Sequence, residues 1–217
     1  MNRQIPTHLM PQAAEKGELF HNKSLEKLTR TSIEVPVMMH TMIAVAFLYF
    51  AFTNTILSHG SIILLFFSGL IFWTLAEYVV HRWGYHTHTT LKWWLDLQHL
   101  AHGIHHQYPR DPKRLAMPPF PALLLISLFF GLFWLIGEIY SIAFFPGFLI
   151  GYMLYISLHY AQHRFKTPKF QPFKNLWKHH ALHHYKYPET KAFGVSTRLW
   201  DFVFGTLPNK SPSRIIF

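Results

Sequence analysis

The sequence contains 17 histidines, and ten of them fall in four clusters with spacings typical of metal ligands. Two clusters are near copies of each other, the five-residue runs His102–His106 and His180–His184, with three histidines each. The other two are the pairs His81/His86 and His159/His163. Positions i, i+3 and i+4 of a helix lie on one face, so each run is predicted to present three ring nitrogens to one point.

Imidazole is a neutral ligand that suits iron, zinc, copper and nickel. Ten imidazoles exceed what one ion can use, whereas two ions would take about five each and keep an open position. A structural zinc site is closed by four ligands, so the number favours a catalytic dimetal centre. The predicted ligands are His81, His86, His102, His105, His106, His159, His163, His180, His183 and His184.

Other polar residues are candidates for supporting roles. A ligating histidine needs its second ring nitrogen held by a carboxylate or a carbonyl. Glu77 lies one turn before His81 and is such a candidate, as are Asp96, Asp111, Glu189 and Asp201, although each could be an ordinary salt-bridge partner. Three histidines adjacent to the clusters are expected to orient ligands or lie at the surface: His88, His99 and His179. Four isolated ones are expected to contact lipid headgroups or fill the core: His8, His21, His40 and His59.

Composition excludes several classes of protein. There are no cysteines, which excludes disulfides, thiolate metal sites and cysteine nucleophiles. The chain also contains no glycine-rich nucleotide loop and no serine nucleophile elbow. The formal net charge of +10 could indicate nucleic acid or an anionic membrane surface. However, every Lys and Arg lies in residues 3–30, 82–114 or 164–214, around two long apolar blocks. That segregation follows the positive-inside rule, so we expect a membrane and no nucleic acid.

The apolar blocks predict an all-α integral membrane protein with four transmembrane helices in two hairpins. The helices are expected at about 35–58, 61–80, 121–145 and 147–163, with breaks at His59-Gly60 and at Pro146. An even number of crossings before each histidine-rich stretch places all four clusters on one side of the membrane. The charge bias makes that side, and both termini, cytoplasmic.

The polar segments complete the predicted architecture. Residues 81–120 and 164–217 are expected to form a cytosolic, helical, histidine-rich cap that holds two metals, within a domain spanning 33–217. Residues 1–32 are a cytosolic N-terminal segment, either a loosely ordered tail or a weakly amphipathic interfacial helix. This segment lacks the short apolar region of a cleaved signal peptide.

The sequence resembles the fatty acid hydroxylase/sterol desaturase superfamily, and within it the fatty acid 2-hydroxylases. The resemblance covers about residues 60–208. The matching stretches are Glu77–Arg82 with His86, His102–His106 with Pro109, Asp111, Arg114 and Pro118-Pro119, His159-Tyr160 with His163, His180–Tyr185, and Phe193–Val195 through Trp200-Asp201 to Phe204–Thr206.

The resemblance implies a membrane-bound di-iron monooxygenase that uses dioxygen to place a hydroxyl group at C2 of a fatty acyl chain, free or in a sphingolipid. The ten histidines would hold two iron ions, which zinc could replace in a recombinant preparation. The acyl chain would enter from the bilayer. Many eukaryotic members carry a fused haem domain, for which this chain has no room, so a separate donor of cytochrome b5 or ferredoxin type is expected. Residues expected to orient ligands or meet the substrate head are Glu77, Tyr108, Arg110, Asp111, Arg114 and Asp201, with Lys113 as a further cation.

Two other hypotheses about the function remain open. A relative could act on a sterol or an ornithine lipid, or could desaturate instead of hydroxylating, because the histidines are common to all of these. A non-catalytic membrane metal-binding or transport protein is the alternative of a different class. Against it, the histidines are predicted at the cytoplasmic ends of the helices and not along a path through the membrane.

Overall fold

The computed structural model describes residues 9–12 and 16–208, and within those ranges the chain is helical with no strand. His8 and the last nine residues of the predicted cap lie outside the described part. The α-helices are α1 (Lys23–Leu28), α2 (Glu34–Asn54), α3 (His59–Val79), α4 (Lys92–Gln98), α5 (Ile104–Gln107), α6 (Pro119–Gly137), α7 (Ser141–Arg164), α8 (Gln171–Tyr185) and α9 (Leu199–Val203).

Three helical stretches in the described part are long and apolar enough to cross a membrane. They are Glu34–Asn54, His59–Tyr85 and Pro112–Arg164, and the last contains both α6 and α7. Many of their large apolar side chains point outward, such as Leu135 and Ile136, which are 81% and 85% exposed. A continuous apolar exterior of this kind requires lipid and not water around it. The chain is therefore a membrane protein.

The predicted break at Pro146 is wrong. The chain reverses at Glu138, which follows Gly137 and has a φ of 43°, and Pro146 lies inside α7. Phe133 contacts Phe144, and Phe129 contacts Phe148, so α6 folds back antiparallel onto α7 about that turn. A proline in the second turn of a helix removes one backbone hydrogen bond, which buried packing can offset. The left-handed residue after a glycine, and not the proline, ends the third apolar segment.

The centre of the bundle is α7. Ile142 packs near Ile62, and Phe148 packs against Trp73, so α3 and α7 run parallel. Their backbones approach closely at glycines: a Cβ built on Gly147 would lie 1.8 Å from the Phe66 carbonyl oxygen. Small residues permit such contacts between membrane helices. Because α3 and α7 are parallel, the histidines that end both helices meet at one end of the bundle.

The N-terminal segment docks on the histidine-rich end. Its short helix α1 is capped by the Asn22 side chain, which accepts from two backbone N–H groups. Arg30 donates two hydrogen bonds of 2.7 and 2.6 Å to the carboxylate of Asp111. Arg114 donates to Glu26, whose carboxylate also accepts from the Leu19 and Phe20 N–H groups. The described residues 19–31 are thus ordered by part-buried ion pairs with residues 111–114 and are not a loose tail, and the short helix α1 leaves Leu25 and Leu28 exposed, as an interfacial helix would.

The close approach of α3 and α7 gives a prediction with an internal control. Gly147→Ala should separate the two helices and destabilise the protein by about 1–3 kcal/mol, the usual cost of overpacking. Gly131→Ala, on the open face of α6 where a Cβ would have no neighbour within 4 Å, should be neutral or stabilising by up to about 1 kcal/mol. Thermal unfolding of both variants in detergent tests this, and equal effects at the two positions would contradict it.

Candidate metal centre

The structure brings the ten clustered histidines together as two groups of five at one end of the bundle. Within each group, one ring nitrogen per residue lies within 4.8 Å of the others. Nine of the ten side chains are buried and His163 is partly buried. The first group is His81, His86, His102, His106 and His183. The second group is His105, His159, His163, His180 and His184.

Each five-residue run divides its histidines between the groups, so the prediction that a run points all three rings at one place is wrong. His102 and His106 belong to the first group and His105 to the second. In the run on α8 the assignment is reversed: His180 and His184 belong to the second group and His183 to the first. Successive helix residues are about 100° apart, so i and i+4 nearly coincide while i+3 faces aside. The groups adjoin where the His106 and His184 rings stack with centroids 4.2 Å apart.

A π-helical turn, Val80–Tyr85, places the first pair of histidines. In an α-helix, residues five apart point in different directions. The i to i+5 hydrogen bonding of a π turn places them one above the other, so the rings of His81 and His86 lie 5.1 Å apart. A second π turn, His99–Gly103, leads into the run that begins at His102. Such turns are frequent at functional sites, and neither is evident from apolar spacing.

The nitrogen spacing fits metal coordination. Six pairs of Nε2 atoms are 2.7–3.2 Å apart, and every pair joins two members of the same group. Two imidazoles bound at right angles to one ion, with bonds of about 2.1 Å, would have nitrogens about 3.0 Å apart. An N–H···N hydrogen bond can join two of these nitrogens, but five nitrogens within 4.8 Å of one another are the arrangement that a shared cation requires. The donor set therefore fits two metal ions, one in each group.

Backbone carbonyls set the orientation of three rings. The Nδ1–H of His81 donates to the carbonyl of Phe193 at 2.5 Å, that of His183 to Lys191 at 3.2 Å, and that of His159 to Leu115 at 3.3 Å. A carbonyl can only accept, so Nδ1 carries the proton and the Nε2 lone pair faces the group. This tautomer is the one that a metal ligand requires.

Burial keeps the clustered imidazoles outside the apolar spans neutral. The largest cause is loss of solvation of the charged form, and repulsion from neighbouring histidines adds to it. Six histidines outside the apolar spans have a pKa well below the ordinary value of 6.5: His102, His105, His106, His180, His183 and His184. The lone pairs are consequently available at neutral pH without any need to remove protons.

Glu77 acts on a loop rather than on a histidine. Its buried carboxylate accepts from the Val195 N–H at 2.6 Å, the Ser196 N–H at 2.9 Å and the Ser196 hydroxyl. The expectation that Glu77 directly orients the ring of His81 thus differs from the structure, where the carbonyl of Phe193 takes that role. The Glu77 carboxylate therefore affects the orientation of His81 only indirectly, by binding the loop whose Phe193 carbonyl accepts from His81.

Asp201, which is fully buried, holds the same loop from the other side. It accepts from the N–H groups of Phe193 and Gly194 at 3.0 and 2.7 Å and from the Thr206 hydroxyl at 2.6 Å. Its fourth partner is Nε2 of His179 at 2.9 Å, so His179 belongs to this support. Burial alone would raise the pKa of Asp201, but the hydrogen bonds, first that of His179, lower it below its usual value.

The loop between these two carboxylates has a backbone that few sequences adopt. Ala192 has a φ of 62°, in the left-handed region that usually requires glycine and costs about 1–3 kcal/mol for other residues. A Cβ on Gly194 would lie 2.0 Å from the Thr197 carbonyl oxygen, so only glycine fits there. Such strain persists where surrounding contacts determine the conformation. Here Glu77, Asp201 and the Thr206 carbonyl, which accepts from Ala192 N–H at 3.0 Å, supply those contacts.

Three of the residues expected to meet the substrate head contact the N-terminal segment. Asp111 and Arg114 are buried and bound to the N-terminal segment, and the Tyr108 ring packs against Gly17. The side chain of Arg110 is exposed. Asp96 forms an exposed pair with Lys92. These positions therefore support the cap or lie on its surface.

Aromatic rings that the histidine pattern did not indicate line the two groups. Tyr85 stacks on His102 with centroids 4.8 Å apart, and Tyr155 stacks on His159 at 5.7 Å. The ring of Phe193 lies within 6 Å of three histidines of the first group. Tyr155 is four residues before His159 on α7, the spacing of neighbouring side chains on a helix, which is the one signal that could have found it.

A cleft of about 200 Å³ reaches the first group at His86. Its other lining residues are mostly polar, and those that the structure describes include no Lys or Arg. They are Leu9, Tyr85, Thr87, His88, Thr89, Leu95, Gln98 and Glu189. Glu189, a predicted orienting carboxylate, lies here beside His88, 3.9 Å away.

Comparison with known proteins identifies similar chains. The sequence model described as fatty acid hydroxylase matches residues 65–206. A dihydroceramide fatty acyl 2-hydroxylase of Arabidopsis thaliana is 40% identical over 141 residues, which are 64% of this chain and 59% of that protein. A fatty acid 2-hydroxylase of Mus musculus is 40% identical over 146 residues, 66% of this chain and 39% of that protein.

A solved structure is similar over nearly the whole chain. Full-length Scs7p, of which only the hydroxylase domain is visible, superposes with a TM-score of 0.82 and 33% identity, covering 94% of this chain and 78% of that one. The chain spans less than two thirds of the length of the plant and mouse relatives. The shared part contains both histidine groups, because the matched residues 65–206 include all ten positions.

The lowered pKa values predict a pH dependence of stability. Below about pH 6.5 the unfolded chain binds protons that the folded one excludes, so the free energy of unfolding should fall as the pH falls and be independent of these groups above that value. Each buried histidine contributes up to about 1.4 kcal/mol per pH unit. Unfolding of metal-free protein between about pH 8 and pH 5 measures the slope. His183→Ala should reduce it, His59→Ala should not, and a flat profile would contradict the prediction.

Proposed function

Because the chain belongs to the fatty acid hydroxylase family, we propose that it is a membrane enzyme that inserts a hydroxyl group at C2 of a fatty acyl chain. The observation that carries the proposal is the pair of five-histidine groups, buried at one end of an apolar bundle. The type of reaction is proposed from the relatives, since the plant and mouse proteins are named 2-hydroxylases.

The ten histidines would hold two iron ions, the first group one and the second group the other. Bound iron would supply the activation of dioxygen, and zinc would occupy the same nitrogens in an iron-poor preparation. The chain itself keeps six of the rings outside the apolar spans neutral by burial, and backbone carbonyls fix the tautomer of three rings. Five nitrogens in each group would leave an octahedral ion one position for a further ligand.

The chain also shields the site. Tyr85 and Tyr155 cover one ring in each group, and Phe193 covers a side of the first. Exclusion of water protects a reactive centre from side reactions and strengthens electrostatic interactions within it. The hydroxylation also consumes two electrons and two protons per dioxygen, with one oxygen atom leaving as water. We expect an external electron carrier of cytochrome b5 or ferredoxin type to supply the electrons.

The cleft at His86 supports a neutral polar head for the substrate. Its described lining offers hydroxyl and amide groups together with the carboxylate of Glu189, which would repel an anionic head. An amide-linked acyl chain suits such a wall better than a free fatty acid does. We place the head here rather than at the Tyr108–Arg114 segment, because Arg114 and Asp111 bind the N-terminal segment. The plant relative is named for dihydroceramide, which contains that amide.

The orientation in the membrane follows from four crossings. If α2, α3, α6 and α7 each span the bilayer, both histidine groups and the cap lie on the side of the N-terminal segment. The Lys and Arg residues cluster in the same segments, so that side is the cytoplasm.

Lipid profiling tests the function. A host that expresses the protein should accumulate 2-hydroxy acyl chains, mainly in amide-linked lipids, and His105→Ala should abolish them because it removes one ligand of the second group. His59→Ala, an exposed histidine at the opposite end of the bundle, is the matched control and should retain the products. Elemental analysis of purified protein should give two metal ions per chain.

Three results would contradict parts of the proposal. Persistent hydroxylation in His105→Ala would overturn the ligand assignment. Unsaturated or hydroxylated sterol products in place of 2-hydroxy acyl chains would overturn the reaction. Products confined to free fatty acids would overturn the neutral head.

A further inference from the structure

The two histidine groups donate hydrogen bonds to backbone carbonyls in different parts of the chain. In the first group, His81 and His183 donate to the carbonyls of Phe193 and Lys191, which belong to one loop, residues 191–196. We call this segment the C-terminal loop. In the second group, His159 donates to the Leu115 carbonyl.

The C-terminal loop is held from two sides by buried carboxylates. Asp201 binds the N–H groups of Phe193 and Gly194, and Glu77 binds those of Val195 and Ser196. The left-handed Ala192 lies between the two residues whose carbonyls accept from histidines, so both carbonyls face the first group. The loop therefore aligns two rings together, and its conformation depends on the two carboxylates.

The Leu115 carbonyl is held by a separate network. Leu115 is buried and ends the short turn 111–115, where Asp111 accepts from Arg30 and Arg114 donates to Glu26. The N–H of Thr31 also donates to the Lys113 carbonyl at 3.2 Å. All of these partners belong to residues 26–31 of the N-terminal segment, far in sequence from the C-terminal loop.

We propose that the two ions have separate supports, with Asp201 as a positioning residue for the first group and Asp111 as a positioning residue for the second. The proposal rests on the two-ion function above and adds which part of the chain maintains each ion. An imidazole that loses the partner of its second nitrogen can rotate or change tautomer, and loss of such a partner typically weakens metal binding by about 10–100-fold.

Zinc binding to the full-length, detergent-solubilised, metal-free protein tests the proposal. Zn²⁺ alone is titrated against a competing chelator, in the wild type and in Asp201→Asn and Asp111→Asn. Each variant should bind one ion with unchanged affinity and the other about 10–100-fold more weakly. Asp96→Asn makes the same substitution in an exposed pair with Lys92 and should leave both affinities unchanged.

Double variants identify which ion is affected. His163→Ala removes a ligand of the second group, so the ion that remains tightly bound is that of the first, and adding Asp201→Asn should weaken it. Adding Asp201→Asn to His183→Ala should leave the remaining ion unaffected. Asp111→Asn should weaken the remaining ion when added to His183→Ala and leave it unaffected when added to His163→Ala. Equal loss in both backgrounds would overturn the separate supports, because a general loss of structure weakens both ions alike.

Thermal unfolding distinguishes a lost fold from a lost support. If Asp201→Asn does not fold, Ser196→Ala replaces it, since it removes only the hydroxyl that binds Glu77. It should weaken zinc binding selectively at the first group, and an equal effect on both groups would overturn the proposal. A wild-type protein that binds fewer than two zinc ions would contradict the proposed function itself, which is a separate outcome.

Discussion

The ring nitrogens of ten imidazoles converge as two groups of five, and the rest of the structure depends on holding them in that arrangement. Burial removes solvent from the rings and keeps those outside the apolar spans neutral, so protonation does not stabilise the arrangement. An N–H···N hydrogen bond satisfies only two nitrogens, whereas a metal ion in each group would bind all five. A protein that folds around such a centre must provide from elsewhere the free energy to hold it in its absence.

That free energy comes from the bundle beneath the centre. The glycine contacts between α3 and α7 bring two backbones together, and both helices end in histidines of different groups. The parallel arrangement of α3 and α7 therefore sets the distance between the groups. The runs in residues 102–106 and on α8 then join them, since each supplies ligands to both. Movement of either run would therefore disturb both groups.

Much of this was accessible from the sequence. The number of histidines, their division into about five for each ion and their convergence at one end follow from apolar segments and spacing. The division of each run between the two groups could not be predicted from the sequence. A helix places i+3 and i+4 about 100° apart, and which of the two side chains faces which group depends on where the second group lies. The π turn at Val80–Tyr85 left no periodic signal either.

The polar supports were the least predictable part. Asp111 and Arg114 were expected near the substrate because they belong to a motif, yet their partners Arg30 and Glu26 lie more than eighty residues away. The turn at Glu138 was missed for a related reason, since a proline is conspicuous in a sequence and a left-handed glutamate is not.

The C-terminal loop contains both the strained residue Ala192 and the carbonyls that accept hydrogen bonds from His81 and His183. Ala192 adopts a conformation that glycine would adopt more easily, but glycine would also enlarge the range of loop conformations available to the unfolded chain and to the loop itself. A rigid residue at that position keeps two carbonyls pointed at the first group. The buried carboxylates that compensate for its strain are thus the same groups that keep the rings of His81 and His183 aligned. Metal binding and loop conformation are therefore linked, and each should stabilise the other.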